Sequence, residues 1–535
     1  MGGVFSEQSA CTDCSEKTIT KGNSMSDWTA GYIAEIGYTY GYYGELNPLR
    51  LRLAFLSAGL AFPEVGTACE LGFGQGMSTN MHAAASTTQW SGTDFNPAHA
   101  AFAQQLGQAS GTDVRLYDEA FVEFCNRTDL PDYDYIGLHG IWSWISSENR
   151  AIIVDFIRRK LKVGGVLYIS YNTQPGWSAM VPLRDLLTEY AEVMGSPGQG
   201  IAARIDGALA FADQLLATNP GFAKANQQVV ERLKKIKTQS RNYLAHEYFN
   251  RDWAPMAFSR MAEWLSPAKL NYACSAHLID HIDQINLTVE QQELLNAIPD
   301  AMFRQTVRDY CINQQFRRDY WVKGARKLNQ LERAELFRMQ RVILTTPRAE
   351  VSLKVNSSLG EAEMQASVYN PVLDALADYQ PKTIAAIEDA VKDQKINFGQ
   401  AVQALLILVG SGTVQPTEDE ASIRAATKRT QNLNLYLYNK ARNNSELNYL
   451  ASPVTGGGIT VPRFHQLFLL AMTEGKTEAS QMAEAVWTLL KLQGQRIVKE
   501  EKMLQTEAET LAHLTEEAQV FISTRLPILK ALGIA

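Results

Sequence analysis

Between residues 47 and 195 the apolar positions alternate between two rhythms. Short apolar runs at 65–71, 89–94, 114–118, 132–138 and 166–171 read as strands, and the stretches between them carry helical spacing. The segment after Asn47-Pro48 is one such helix, with Leu49, Leu51, Leu53, Leu56 and Leu60 along it. This alternation predicts an α/β fold, a parallel sheet with helices on both faces. Residues 181–240 read as long amphipathic helices, and 242–325 as helices with one short strand, Lys269–Cys274. Residues 367–416 pair short helical patterns with a Gly-x-Gly turn into Val414-Gln-Pro, in the manner of a winged-helix unit. Residues 425–535 read as helical, with glycine flexibility confined to Thr455–Gly458.

Four segments follow from this reading. They are a disordered or misassigned leader at 1–27, with Met25 an alternative start, an α/β domain at 28–195, a mainly helical domain at 196–330, and a winged-helix-like and helical region at 331–535. A net charge of −7 argues against a general nucleic-acid binder. Near the winged-helix-like unit, acidic and basic residues cancel, which favours protein over DNA contact. No run of about 18 apolar residues points to a membrane span, and the polar first 24 residues lack the core of a signal peptide. The six scattered cysteines fit reduced thiols of a cytoplasmic protein. Cys11-x-x-Cys14 has zinc-like spacing but no second pair nearby, so no metal site is expected. The basic run Lys234-Lys235-x-Lys237 reads as a solvated helix face.

The chemistry concentrates after the first strand, in Glu70-x-Gly72-x-Gly74-x-Gly76. Glycines at this spacing let the backbone turn tightly and approach a ligand. A dinucleotide loop would place its third glycine at position 77, which is Met. Asp94 ends the second strand, 18 residues past Gly76, where an acid accepts from ribose hydroxyls, and Phe95 follows it. Asp118 ends the third strand. His139, Trp142 and Trp144 leave the fourth, and Tyr171, Asn172 and Trp177 the fifth, all toward the ligand-binding edge of such a sheet.

The glycine loop resembles motif I of class I S-adenosylmethionine (SAM) methyltransferases. Together with Tyr38-Thr-Tyr-Gly-Tyr-Tyr43, His139–Trp144 and Ser170–Trp177, it resembles bacterial class I methyltransferases that carry a methyltransferase regulatory domain, among them the rickettsial outer-membrane-protein lysine methyltransferases. Tyr243–Asn250, Asp252-Trp253, Pro255 and Arg317–Gly324 look like the hallmarks of that domain. The likeness is strongest over residues 28–330. Where those relatives carry a proline- and histidine-containing stretch, this chain has Gly44-Glu-Leu-Asn-Pro48.

The resemblance implies a Rossmann-like sheet, SAM as cofactor and a protein-lysine acceptor. Glu70, Gly72, Gly74 and Gly76 would hold the methionine end, Asp94 and Phe95 the ribose side, Asp118 the adenine, with His139 near the reacting centre. Tyr38, Tyr40, His139 and Trp142 would shape catalysis, and Tyr43, Trp144, Tyr171, Asn172 and Trp177 the acceptor side. Methyl transfer is an in-line displacement that asks mainly for alignment and desolvation. A lysine, with an ordinary pKa near 10.4, must lose a proton first, and an aromatic pocket lowers that pKa. No residue stands out as general base, so bulk water takes the proton. A glycan or small-metabolite acceptor, a non-catalytic SAM-binding protein and a nicotinamide oxidoreductase are the rival readings. Oligomeric state stays open, a dimer included.

Overall fold

A computed structural model describes residues 29, 31–33, 36–196, 198–499 and 502–535. The leader and Cys11-x-x-Cys14 lie outside the described residues. Seven strands form the central sheet: β1 (Thr67–Leu71), β2 (Gln89–Thr93), β3 (Arg115–Tyr117), β4 (Tyr133–Leu138), β5 (Leu161–Asn172), β6 (Asn271–Ser275) and β7 (Phe316–Val322), in the order β3-β2-β1-β4-β5-β7-β6. The first five run parallel, and β7 is antiparallel to both β5 and β6. The sheet is Rossmann-like, as the strand–helix rhythm predicts. Its parallel strands read as near-continuous apolar runs because helices cover both faces. Ala68, Cys69, Leu71, Ile136, Leu138 and Val166–Ile169 are all solvent-free.

Local chemistry sets the helix starts. Asn47 and Asn96 each accept from the backbone N–H two residues on, with Pro48 and Pro97 at the first helical position, so the helices Pro48–Ser57 and Pro97–Ser110 begin where the preceding loop ends. Ser146 caps Ser147–Lys160 by accepting from the Asn149 N–H, three residues on.

The structure revises two sequence expectations. The 196–330 stretch carries two strands, not one, and both join the central sheet. β7 pairs with β5 over seven residue pairs, from Val166 opposite Val322 to Asn172 opposite Phe316. Its sequence hides this, because Arg317 and Asp319 are ill suited to a buried strand until they pair with each other. The strand expected at 166–171 begins earlier, so Lys162–Gly165 is part of β5. The register shifts between Tyr133 and Tyr135 opposite it, and Gly164 takes φ +82°, a conformation that favours glycine.

The C-terminal third is fastened to the sheet's outer helices. Met77, Met81, Ala84 and Leu106 share one apolar cluster with Leu433, Leu437 and Phe468. Arg429 donates to the Ser86 carbonyl at 2.6 Å and Tyr436 to Gln105 at 3.2 Å. Between the two lies a small antiparallel sheet, Arg341–Leu344 flanked by Lys382–Thr383 and Val414–Pro416, with the helices Ala366–Asp374, Ile384–Ala390 and Phe398–Gly410. Among the described residues no helix is long and apolar enough to cross a membrane, and no group of three metal-ligating side chains converges.

Candidate functional site

The loop leaving β1 turns through Gly72, Gly74 and Gly76, with φ of +73°, +57° and +69°. Two of these positions are crowded against a neighbour. A Cβ on Gly72 would come within 2.5 Å of Ile141 Cδ1, and one on Gly76 would overlap Ala103. The Gly72 N–H donates to the Thr93 carbonyl at 2.8 Å, which pins the loop to the end of β2. Asp94 follows Thr93. Its Oδ2 accepts the Gly74 N–H at 2.9 Å, its Oδ1 accepts the Asn96 N–H at 3.0 Å, and His99 Nδ1 lies 3.2 Å from Oδ1. An ionised carboxylate offers about four lone-pair sites, so one remains for a ligand. Glu70, buried at the end of β1, accepts the Thr79 hydroxyl, and burial pushes its carboxyl up to about 8.

These groups open on a cavity of about 420 Å³ at the carboxyl ends of the strands. Glu70, Gly72, Gly74, Asp94 and Phe95 line it together with Tyr38, Tyr43, His139 and Trp144. His139 leaves β4 with Nδ1 2.8 Å from the Tyr168 hydroxyl and stacks on Tyr43, ring centroids 3.7 Å apart. Burial pulls its pKa down to about 4, so the imidazole is neutral near pH 7. Tyr38 meets His246 edge to face at 5.1 Å. Burial raises both Tyr38 and Tyr43, and the two phenols are hydrogen-bonded.

Seven expected residues do not line this cavity. Tyr40 packs on Phe102 at 5.1 Å, within the cluster shared with the C-terminal third. Trp142 is fully buried, its N–H 3.3 Å from the Met256 sulfur and its ring against Trp264, while Trp144, two residues on in the same tight turn, faces the cavity. Tyr171 donates to Asp319 at 2.9 Å in the core. Asn172 is buried, its N–H bound to Ser143 Oγ at 2.8 Å. Trp177 is wedged between Trp253 and Tyr248, with the Arg232 guanidinium 3.9 Å above its ring. Asp118 gives way to its neighbour Glu119 as a lining residue, which also accepts the Thr93 hydroxyl through its carbonyl. Gly76 sits behind the wall, its carbonyl bound to the Asn80 amide at 2.8 Å. Tyr32, Phe121, Arg251 and Asp252 line the cavity without having been singled out as site residues. Asp252 did stand in a recognisable motif; Tyr32, ahead of the tyrosine cluster, carried no such signal.

Residues 240–323 match a family model described as a predicted methyltransferase regulatory domain. The uncharacterized protein sll1526 of Synechocystis is 42% identical over 513 residues, which is 95% of this chain and 100% of that protein. The uncharacterized protein RP789 of Rickettsia prowazekii is 27% identical over 338 residues, 60% of this chain and 59% of that protein. Among solved structures, PKMT2 from Rickettsia typhi in complex with AdoHcy superposes with a TM-score of 0.69 at 16% identity, covering 92% of this chain and 99% of that one. At that identity the likeness is one of fold.

Proposed function

We propose a protein-lysine N-methyltransferase, on the premise that this chain belongs to the class I SAM-dependent methyltransferases that carry a methyltransferase regulatory domain. The observation that carries the reading is the meeting, in one cavity, of the left-handed glycine bend, the Asp94 carboxylate and an uncharged aromatic wall. The AdoHcy held by PKMT2 of Rickettsia typhi supports it. These residues fit the cofactor: a side chain at Gly72 would press on Ile141, and among the described residues Asp94 keeps a free lone pair and no cationic side chain is hydrogen-bonded to the His139–Tyr43 stack.

SAM supplies, when bound, a methyl group activated by its positive sulfur. Gly72 and Gly74 let the backbone approach its amino-acid end. Glu70 would hold the amino group as a carboxylate. Asp94 would accept from the ribose, and Phe95 and Phe121 would offer apolar surface to the base. Tyr38, Tyr43, His139 and Trp144 surround the acceptor. Neutral His139 adds no charge to repel the sulfonium, and the aromatic faces favour a cation in their midst. The same dry walls disfavour an ammonium and help expose the amine lone pair.

Tritiated SAM, incubated with the full-length protein and total protein from cells lacking this gene, tests the assignment. After acid hydrolysis the label is expected as Nε-methyllysine. Label in glycans or small metabolites would point to another acceptor. Tight SAM binding with no transfer would point to a non-catalytic binding protein.

A further inference from the structure

A second cavity, of about 320 Å³, lies between β6, β7 and the helices Val289–Ala297 and Ala301–Cys311. It shares no lining residue with the cavity described above. The helix Ala301–Cys311 supplies Arg304, Gln305, Arg308 and Asp309 to its wall. Arg304 and Arg308 stand four residues apart, as do Gln305 and Asp309, so each pair lies on one side of the helix. Arg317 and Asp319, two apart in β7, alternate onto the same face of that strand and line the cavity as well. The space is of the size that holds a small molecule.

Four aspartates and four arginines line it, and most of them are already matched. Arg317 pairs with Asp319 at 2.9 Å and with Asp309 Oδ1, Arg308 pairs with Asp283 at 2.6 Å, and Arg318 pairs with Glu45 at 2.8 Å. A definite set is left over. Arg304 donates through Nε and Nη2 to the Ile298 carbonyl, at 3.2 and 2.6 Å, and among the described residues no carboxylate pairs with it. Asp280 accepts the Ser275 hydroxyl at 2.7 Å, and among the described residues no cation pairs with its carboxylate. Asp309 is 2% exposed, and among the described residues its Oδ2 has no donor. Burial pushes Asp309 up to about 6, which leaves it a carboxylate near pH 7. Gln305 Oε1 accepts from Arg317 at 3.0 Å, while among the described residues the Gln305 amide nitrogen and the whole Asn296 amide make no hydrogen bond.

Water can satisfy the amides. Enclosed charges of both signs are better met by counter-charges, because a charge taken out of bulk water is costly until it is paired. A single ligand that carries both signs answers both ends of the cavity. We propose that this cavity binds a free α-amino acid, with its carboxylate on Arg304 and its ammonium toward Asp280 and Asp309. Gln305 adds a donor for the carboxylate, and Asn296 offers a donor and an acceptor. A zwitterion has no net charge, which suits a wall whose aspartates and arginines are equal in number. The site stands apart from the methyl acceptor, so its failure would leave the lysine reading intact.

Calorimetric titration of the full-length protein with each standard L-amino acid tests the proposal, with Arg304→Gln and Asp280→Asn beside wild type. At least one amino acid is expected to bind wild type. Each substitution is expected to weaken that ligand about tenfold or more, the scale of one charge-assisted hydrogen bond. Blocking the ligand should do the same from the other side. Its N-acetyl form should bind wild type weakly and lose nothing further in Asp280→Asn, and its carboxamide should lose nothing further in Arg304→Gln. Neither residue lines the SAM cavity, so SAM affinity should stay within about twofold of wild type in both variants, far below the effect of a lost charge-assisted bond. If Arg304→Gln is misfolded by circular dichroism, Asp280→Asn and the blocked ligands still decide. No binding by any amino acid overturns the proposal. So does a binder that both substitutions leave unchanged, because it then sits elsewhere. Ethylamine or acetate binding as tightly as the whole ligand would show a site for one charge and overturn the zwitterion. A variant that loses the amino acid and SAM together also overturns it, because the residue then acts through the fold.

Discussion

Asp94→Ala is expected to weaken SAM binding by about 10²-fold. Two losses combine. The carboxylate's free lone pair would make a charge-assisted hydrogen bond to the ribose, and such bonds contribute about 1.5–3 kcal/mol, or roughly 10- to 150-fold. The same carboxylate holds the Gly74 N–H at 2.9 Å and the Asn96 N–H at 3.0 Å, so its removal also loosens the glycine bend before any ligand arrives. Glu70 keeps its Thr79 bond and loses only the repulsion of the Asp94 charge. Calorimetric titration with SAM reads the effect, and the circular dichroism spectrum checks that the variant is folded. A folded variant with affinity within threefold of wild type would mean that the ribose lies elsewhere.

Arg317→Met is expected to destabilise the sheet edge by about 3–5 kcal/mol, the scale of stripping one partner from a buried ion cluster. The Arg317 guanidinium sits in β7 with a side chain 6% exposed, 2.5 Å from Asp309 and 2.9 Å from Asp319. It also lies 4.4 Å from the Phe258 ring centre. Without it two enclosed carboxylates face each other, and Asp319 is the acceptor for Tyr171 in the neighbouring strand. Burial already pushes Asp309 up to about 6 and raises Asp319, despite Arg317 pulling both down. The sign of the pH dependence follows. An acid whose folded pKa exceeds its unfolded value near 3.9 binds more protons when folded, so stability falls as pH rises through that window. The variant, with both acids raised further, is expected to recover stability as pH drops from 7 toward 5. Native-state hydrogen exchange of the β7 amides, measured at both pH values, reports the opening free energy of this edge directly. A loss below about 1 kcal/mol, or one that is the same at both pH values, would contradict the account.

The parts of the molecule that could be read from the sequence are those where backbone geometry dictates residue type. The glycine bend is visible because three left-handed residues in alternation demand glycine, and the acid after β2 because chain length alone places it beside the bend. β1, β2, β4 and the second half of β5 are visible because a strand covered on both faces must be apolar along its length. β7 was hidden because its polar residues are satisfied by each other and by Asp309, a pairing that has no local signal. The same holds for the direction of individual side chains. Trp142 and Trp144 are indistinguishable as letters, but a tight turn sends the first to the core and the second to the cavity. Asp118 and Glu119 differ by one register position at a strand end, where boundaries are least defined by pattern. Tyr171 alternates into the core toward Asp319, which an outward-reading loop motif cannot reveal. Glu247 stood inside a motif read as a hallmark of the regulatory domain. Its backbone carbonyl accepts the Trp144 indole N–H from 103 residues away in the chain, a contact with no local signal.

The most direct measurement is a crystal structure of the full-length protein with S-adenosylhomocysteine. The account predicts the ribose hydroxyls on Asp94, the amino-acid end across Gly72 and Gly74 with its amino group toward Glu70, and the sulfur facing Tyr38, Tyr43 and His139. An adenosine lodged outside this cavity, with the glycine bend occupied by the protein's own side chains, would contradict it.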